Sequence, residues 1–460
     1  MSDFLQLRPA EAPSKGLTAW LTDALRAAIG AGRLVPGARL PATRLLAAEL
    51  EVSRGVVVDA YQRLVDEGLA TARTGAGTVV TAAPAAARRT TDRRRDLAAL
   101  RLPLPAPEGI DIDLSPGVPD LAAFPRAAWL RAERAVLDEV TAADLGYGDP
   151  GGTPRLRAEL AGWLGRVRGV RCEPDDVIVV GGVAQALALL AQTLHAHGRD
   201  AVAVEDPGSR GARDQLAHWG VRPEGVPVDE EGLRVDRLTQ DAAVLTPAHQ
   251  FPTGVVLSPA RRRALLAWEG LVIEDDYDAE HRYDRAPVAA LQGSAPDHVA
   301  YCGSVSKSLA PGMRLGWLVA PRPMQAELLT AKHDSDLGNP ALPQLVLARL
   351  LASGDYERHL RAVRSRQRRR RDALLAGLRA HLPGCRVTGV AAGLHLMIML
   401  DGETPDTVLA ERAARAGVLV HPLSWHRHRP GPPGLILGYA AQPPDRLAEA
   451  ARRLAAVMGP

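Results

Sequence analysis

The strongest chemical signal in the chain is a lysine set among hydroxyls, in Gly303-Ser304-Val305-Ser306-Lys307-Ser308-Leu309-Ala310-Pro311-Gly312-Met313-Arg314-Leu315-Gly316-Trp317. A lysine amine condenses with an aldehyde to give a Schiff base, and hydroxyls with a nearby guanidinium hold a phosphate dianion through charge-assisted hydrogen bonds. Lys307 is the candidate amine, and Ser304, Ser306 and Arg314 suit the phosphate. Upstream, Leu271-Val272-Ile273-Glu274-Asp275-Asp276-Tyr277-Asp278-Ala279-Glu280 reads as an apolar strand ending in acids. Asp275 and Tyr277, two apart on a strand, share one face. Asp276 and Asp278 are expected to be solvated at the strand end. A third segment, Val177 to Leu187, reads as strand, glycine turn and helix start. Its Val183 and Ala184 N–H groups are placed to receive an anion.

The elements that must position these groups follow from periodicity. Apolar runs at Val177 to Val180, Ala201 to Val204, Ala243 to Leu245, Leu271 to Ile273 and Leu315 to Val319 alternate with helical segments, which predicts an α/β domain. From about Lys332 the chain turns to long helices, then to a smaller α+β region with strands at Leu394 to Leu400 and Leu435 to Tyr439. At the other end, Leu17, Leu21, Leu25 and Ile29 recur every four residues in a first amphipathic helix, ended by Gly30 and Gly32. A short helix from about Thr43 to Leu50 follows. Ser53 then caps a third helix to about Glu67, with Val57, Tyr61, Leu64 and Val65 inward. Ala70 to Arg73 and Thr78 to Thr81 form a hairpin across Thr74-Gly75-Ala76-Gly77. Three helices and a hairpin make a winged helix. Residues 82–110, with arginine clusters and Pro103, Pro105 and Pro107, read as a semi-stiff linker. The expected domains are therefore 1–81, a linker at 82–110, and 111–460.

Bulk properties narrow the classes. With 460 residues, 46% hydrophobic and 24% charged, the chain suits several folded domains rather than a disordered or fibrous protein. Net charge is only +3, and residues 1–81 carry nine Arg plus Lys against eight Asp plus Glu, so charge alone does not announce nucleic-acid binding. Cys172, Cys302 and Cys385 are far apart and lack metal-ligand spacing, which fits reduced, packed thiols in the cytoplasm. No apolar stretch of membrane-spanning length is present, and neither is a signal-peptide pattern.

Pro36-Gly37-Ala38-Arg39-Leu40-Pro41-Ala42-Thr43-Arg44, with Val52-Ser53-Arg54 and Glu67-Gly68-Leu69 up to Gly75-Ala76-Gly77-Thr78, resembles the GntR-type winged helix-turn-helix. The resemblance implies binding to a double-stranded DNA operator. Arg44, Arg54, Gly55 and Val56 would face DNA from the helices, Thr74 and Gly75 would approach the minor groove, and Arg73 would contact phosphate. The lysine segment resembles that of fold-type I aminotransferases, which implies pyridoxal 5′-phosphate held by Lys307. By the same resemblance Asp275 lies under the pyridine nitrogen and Tyr277 on the ring hydroxyl. These motifs, with Gly146 to Gly152 ahead and Thr246-Pro247-Ala248-His249-Gln250-Phe251-Pro252-Thr253-Gly254 between, resemble in order and spacing the MocR branch of GntR regulators. That places His249 near the ring. It also implies a homodimer and a fold with a large α/β and a smaller α+β part.

Departures from the pattern bear on mechanism. Val180 and Gly181 replace hydroxyls before the phosphate-binding helix, and Ser209 stands where a tyrosine is common. Phe251 replaces the asparagine of true aminotransferases. Ile436 stands where an arginine normally clamps a substrate carboxylate, so orientation of an amino acid for proton abstraction is lost. The expectation is a regulator sensing pyridoxal phosphate or an amine, with no catalytic residues assigned. The alternatives are a working aminotransferase with an accessory DNA-binding domain, and a sensor of another ligand. His421, His426 and His428 lack a completing carboxylate or thiol and are not taken as a metal site. Arg366, Arg368, Arg369, Arg370 and Arg371 are expected on a solvated or inter-subunit helix face.

Overall fold

The computed structural model of the chain describes residues 13, 15–73, 77–81, 109–283, 288–389 and 391–458. Backbone proximity divides it into two units, Met1–Leu104 and Pro105–Pro460. The expected linker lies outside the described residues except for Gly109 and Ile110.

In the first unit the apolar four-residue repeat forms α1 (Leu17–Gly30), with Leu21, Leu25 and Ile29 fully buried. α2 (Thr43–Glu49) and α3 (Arg54–Asp66) follow. Ser53 starts α3: its hydroxyl accepts the Val56 N–H at 3.4 Å, satisfying one of the orphan donors of the first turn. Val57, Ala60, Tyr61 and Leu64 bury one stripe of α3 against α1 and α2. The Tyr61 hydroxyl donates to the Pro41 carbonyl at 2.9 Å, anchoring the segment ahead of α2. β1 (Ala70–Arg73) and β2 (Gly77–Val80) pair antiparallel with Ala70 opposite Val80 and Arg73 opposite Gly77. A backbone bridge from Arg39 to Val79 adds a third chain segment to this wing.

The second unit opens with β3 (Ile112–Asp113), α4 (Arg126–Glu139), α5 (Pro154–Arg168), β4 (Val177–Val180) and α6 (Val183–Ala196). It continues through β5 (Ala201–Asp206), α7 (Arg210–His218), β6 (Arg222–Asp229), β7 (Gly232–Leu233), β8 (Ala242–Leu245), α8 (Pro259–Leu266) and β9 (Leu271–Asp276). β10 (Val299–Ser304), β11 (Gly316–Val319), α9 (Arg322–Asp336), α10 (Ala341–Ala352) and α11 (Asp355–His381) come next. The chain ends in β12 (Arg386–Thr388), β13 (His395–Met399), α12 (Asp406–Arg415), β14 (Val418–Leu419), β15 (His421–Pro422), β16 (Gly434–Gly438) and α13 (Pro444–Met458).

The large sheet runs β4-β11-β10-β9-β8-β5-β6-β7, with β10, β9, β8, β5 and β6 mutually parallel and β11 antiparallel to both its neighbours. Helices cover both faces, so β4, β8 and β11 are buried along their whole length and read in sequence as unbroken apolar runs. Loops leaving the carboxyl ends of such strands converge on one crevice. The smaller sheet, β12-β13-β16-β15, packs through Leu396, Leu435 and Leu437 onto Leu374 and Leu378 of α11 and Leu447 and Leu454 of α13. Among the described residues no helix is long and apolar enough to cross a membrane.

One face of α11 departs from expectation. Arg370 is 7% exposed rather than solvated: with Arg366 it closes on buried Asp120, at 2.9 and 2.7 Å. Its guanidinium is drawn inward because Asp120 would otherwise be a buried, uncompensated charge.

Candidate functional site

Lys307 leaves the end of β10 and lines a cavity of about 300 Å³ with Asp275, Tyr277, Ser304, Ser306 and Arg314. The Gly182-Val183-Ala184 start of α6 closes the same cavity. Four separate strand ends thus deliver the groups that the sequence scatters over 130 positions or so. The Lys307 amine donates to the Gly117 carbonyl at 2.6 Å. Gly117 has φ +80, and a Cβ there would stand 3.1 Å from the Lys307 Nζ, so the close approach requires glycine. Burial pulls the Lys307 pKa below its ordinary value, opposed by the Asp275 and Asp278 charges. A depressed pKa enlarges the fraction of neutral, nucleophilic amine.

Asp275 and Tyr277 do share a face, and both reach the cavity. Burial, with the charges of Asp276 and Asp278, pushes the Asp275 carboxyl up to about 7. Its Oδ1 is buried and has no hydrogen-bond partner among the described residues. A carboxylate oxygen held this way fits a protonated heteroaromatic nitrogen, which would supply the missing donor. Tyr277 lies 3.1 Å from the His249 Nδ1, and burial raises its phenol well above the ordinary value. His249 is itself buried, with Nδ1 2.8 Å from Asp278, and sits behind Tyr277 rather than on the cavity wall.

At the opposite end, Gly182 has φ +100 and turns the chain from β4 into α6, whose first N–H groups face the cavity. A Cβ on Gly182 would stand 3.4 Å from the Arg314 guanidinium. Arg314 is itself held in the left-handed region, φ 50 and ψ 43, a conformation that few non-glycine residues adopt. The Gln185 side chain accepts the Gly181 N–H at 2.6 Å and is fixed by Asp336 at 2.6 Å, so the turn is held from behind. These donors and the two serines form a cradle suited to a phosphate, although Val180 and Gly181 add no hydroxyl.

Asp276 and Asp278 are not solvated, which corrects the sequence expectation: they are 4% and 1% exposed. β9 is central in the sheet, so both of its faces are covered. Asp276 points away from Asp275 and accepts from Arg168 Nε at 2.7 Å and from the Tyr301 hydroxyl at 2.5 Å. Arg168, 1% exposed, comes from the end of α5. Glu205 is also fully buried, pushed to about 7 by burial, and accepts the Thr246 hydroxyl at 2.7 Å. That hydroxyl in turn accepts the Phe251 N–H at 3.0 Å, which sets the phenyl ring on the cavity wall. Nothing in the sequence near Asp276 or Glu205 marks these partners, because Arg168 and Thr246 lie 108 and 41 residues away. Gly117 was missed for the same reason.

The positions that break the aminotransferase pattern are also placed. Ser209 lines the cavity and caps α7, accepting the Ala212 N–H at 3.2 Å. Ile436 is fully buried in β16, opposite Met397 and His421, in an apolar cluster with Leu423 that packs against Phe251. His426 and His395 stack edge-on to Phe251 at centroid distances of 5.1 and 4.9 Å. Burial depresses both imidazoles to about 3.

In the first unit Arg44 and Arg54 are exposed, Gly55 is exposed and Val56 half-buried at the start of α3. Arg54 reaches back to the Thr43 hydroxyl at 3.4 Å, bringing α2 and α3 together at one end. Arg73 is the last residue of β1, while Thr74 and Gly75 lie outside the described residues. Sequence reasoning passed over Arg39, which is exposed and lies 3.4 Å from where a Gly77 Cβ would be, beside β2.

The two units match two family descriptions. Residues 17–80 match "Bacterial regulatory proteins, gntR family", and residues 110–454 match "Aminotransferase class I and II". The chain is 34% identical over 452 residues to the HTH-type pyridoxine biosynthesis transcriptional regulator PdxR of Corynebacterium glutamicum, covering 96% of each. It is 33% identical to the probable rhizopine catabolism regulatory protein MocR of Rhizobium meliloti, covering 93% of this chain and 91% of that protein. Among solved structures it resembles kynurenine aminotransferase of Pyrococcus horikoshii in complex with PMP, with TM-score 0.71 and 26% identity over 80% of this chain and 98% of that one. It also resembles LysN, the α-aminoadipate aminotransferase of Thermus thermophilus complexed with N-(5′-phosphopyridoxyl)-L-leucine, with TM-score 0.70 and 28% identity over 79% of this chain and 96% of that one. The chain therefore belongs to the MocR-type branch of the GntR regulators, in which a winged helix-turn-helix and an aminotransferase class I and II domain share one polypeptide.

Proposed function

We propose that the protein is a transcription regulator that binds pyridoxal 5′-phosphate in its second unit and operator DNA through its first, over domains at 1–81 and 111–460. The observation that carries this reading is the meeting of Lys307, Asp275, Tyr277 and Arg314 in one cavity, in the same chain as an exposed Arg44–Arg54 helix pair. When bound, the cofactor supplies an aldehyde for an amine and an electron-withdrawing ring. Lys307 holds that aldehyde. Asp275 would accept a hydrogen bond from the protonated ring nitrogen and so keep that nitrogen charged, Tyr277 would bond the ring hydroxyl, and His249 orients Tyr277. Ser304, Ser306, Arg314 and the N–H groups of Val183 and Ala184 hold the phosphate. Arg44, Arg54, Gly55, Val56, Arg73, Thr74 and Gly75 contact DNA, in the cytoplasm where that DNA lies.

Sensing is favoured over turnover by Ile436, whose buried, apolar surroundings give an α-carboxylate no bidentate clamp at that position. An amine or the cofactor itself is then the effector, and it acts by favouring one DNA-binding arrangement of the protein over another. A homodimer is supported by α4 and its neighbourhood: Leu130 and Leu137, seven apart on one helix face, are 59% and 55% exposed, and Tyr147 is 93% exposed. Visible absorption of the purified protein with and without pyridoxal phosphate tests the cofactor reading. A band given by the wild type and absent from Lys307→Ala supports it, and no band in the wild type overturns it.

A further inference from the structure

A second cavity, of about 220 Å³, lies in the Pro105–Pro460 unit between α5, the turn Ala279–His281 and α11. That is the liquid volume of about seven waters, at roughly 30 Å³ each. Trp163 and Leu360 give it an apolar wall, and Glu280 and Arg364 also line it. Glu280 is 8% exposed and forms no ion pair among the described residues. Burial, with the Asp276 charge, raises its carboxyl to about 7. The Arg364 Nε is buried without a hydrogen-bond partner, and Arg364 forms no ion pair among the described residues. Two further charges share the wall: Arg168, which is paired with Asp276, and Glu357, which lies 3.8 Å from Arg166; the Arg168 Nη2 and the Glu357 Oε2 are likewise buried without a hydrogen-bond partner among the described residues.

Glu280 and Arg364 therefore line the same small cavity without forming an ion pair with each other or with any other described residue. Each is costly to leave unmatched, and a ligand carrying both charges about an apolar body satisfies both. We propose that this cavity binds a small zwitterion, an α-amino acid with an apolar side chain, its ammonium on Glu280 and its carboxylate on Arg364. The side chain lies against Trp163 and Leu360. The cavity is joined to the Lys307 loop by α11. Tyr356, four residues before Leu360, lies with its hydroxyl 2.7 Å from the Ser308 hydroxyl, and His359 Nε2 is 2.7 Å from the Ser308 carbonyl. Occupancy thus bears on the residue next to Lys307; this coupling, unlike the site, rests on the cofactor reading.

Isothermal titration with L-leucine tests the site on two forms: apo-protein, and holo-protein whose cofactor has been fixed to Lys307 by borohydride so that no amine exchanges there. The expected result is one site per chain in both forms, weakened about ten-fold or more by Glu280→Gln and by Arg364→Met. Isoamylamine and isovalerate, each carrying one of the two charges, should bind about ten-fold more weakly or worse than L-leucine. No binding to either form, binding indifferent to both substitutions, or equal binding of isoamylamine overturns the proposal. Matched circular dichroism shows that the variants fold, and the single-charge ligands decide the matter on wild type if they do not. A protein that takes up no pyridoxal phosphate fails the cofactor reading, while the apo titration still decides the cavity.

Discussion

Replacing Asp275 by asparagine should stabilise the cofactor-free protein while weakening its hold on the cofactor. Burial and the neighbouring acids raise the Asp275 carboxyl from 3.8 to about 7. Between those values the folded state binds a proton that the unfolded state releases, so stability falls as pH rises through that window. At 1.36 kcal/mol per unit the deficit at pH 8 is about 4 kcal/mol, shared in part with Asp276 and Asp278. Asparagine keeps the shape and cannot ionise. The apo variant should therefore match wild type near pH 4 and exceed it by about 2–4 kcal/mol at pH 8. In a protein of this size that is a rise of roughly 2–5 °C in Tm. The holo-protein should show the reverse, because a ring-nitrogen proton loses a charged acceptor and gains a neutral one, costing about ten-fold in affinity. Calorimetry of both proteins across pH, with and without pyridoxal phosphate, is the assay. An apo variant no more stable than wild type at pH 8, or a difference that does not grow with pH, would refute the reasoning.

Removing one partner of the buried pair behind Asp275 should be severe: Arg168→Met leaves Asp276 with Tyr301 alone and costs about 3–5 kcal/mol in urea unfolding, and adding Asp276→Asn should recover much of it. His395 and His426, depressed to about 3, lose stability as pH falls below 6.5, because the unfolded chain takes up protons that the folded chain refuses. At pH 5 each contributes about 2 kcal/mol of that loss, read as the flattened pH dependence of the urea midpoint in His395→Asn and His426→Asn relative to wild type. Arg54→Ala should weaken binding to an operator duplex by about 1–3 kcal/mol, as fluorescence anisotropy would show, with unfolding changed by less than about 0.5 kcal/mol. If Arg54 contacts a phosphate, the salt dependence should also fall by roughly one counterion.

The sequence determined the features that are local. Four-residue apolar spacing set α1, a serine ahead of Val56 set the start of α3, and an unbroken run of β-branched apolar residues set β4, because a helix or strand buries the face its own period creates. The lysine segment and the Asp275–Tyr277 spacing were legible for the same reason: short motifs carry their own geometry. Only the tertiary structure decided what lies behind those groups. Asp276 and Asp278 look like solvated acids at a strand end until β9 is found at the centre of an eight-stranded sheet, covered on both faces. Arg168, Gly117 and Thr246 enter the site's surroundings from α5 and from loops far away in the chain, and the unpaired Glu280 and Arg364 come to line one cavity only when α11 packs beside α5. The reason is physical: the state of a buried charge depends on what surrounds it in three dimensions, and neighbours in space are not encoded by neighbours in sequence.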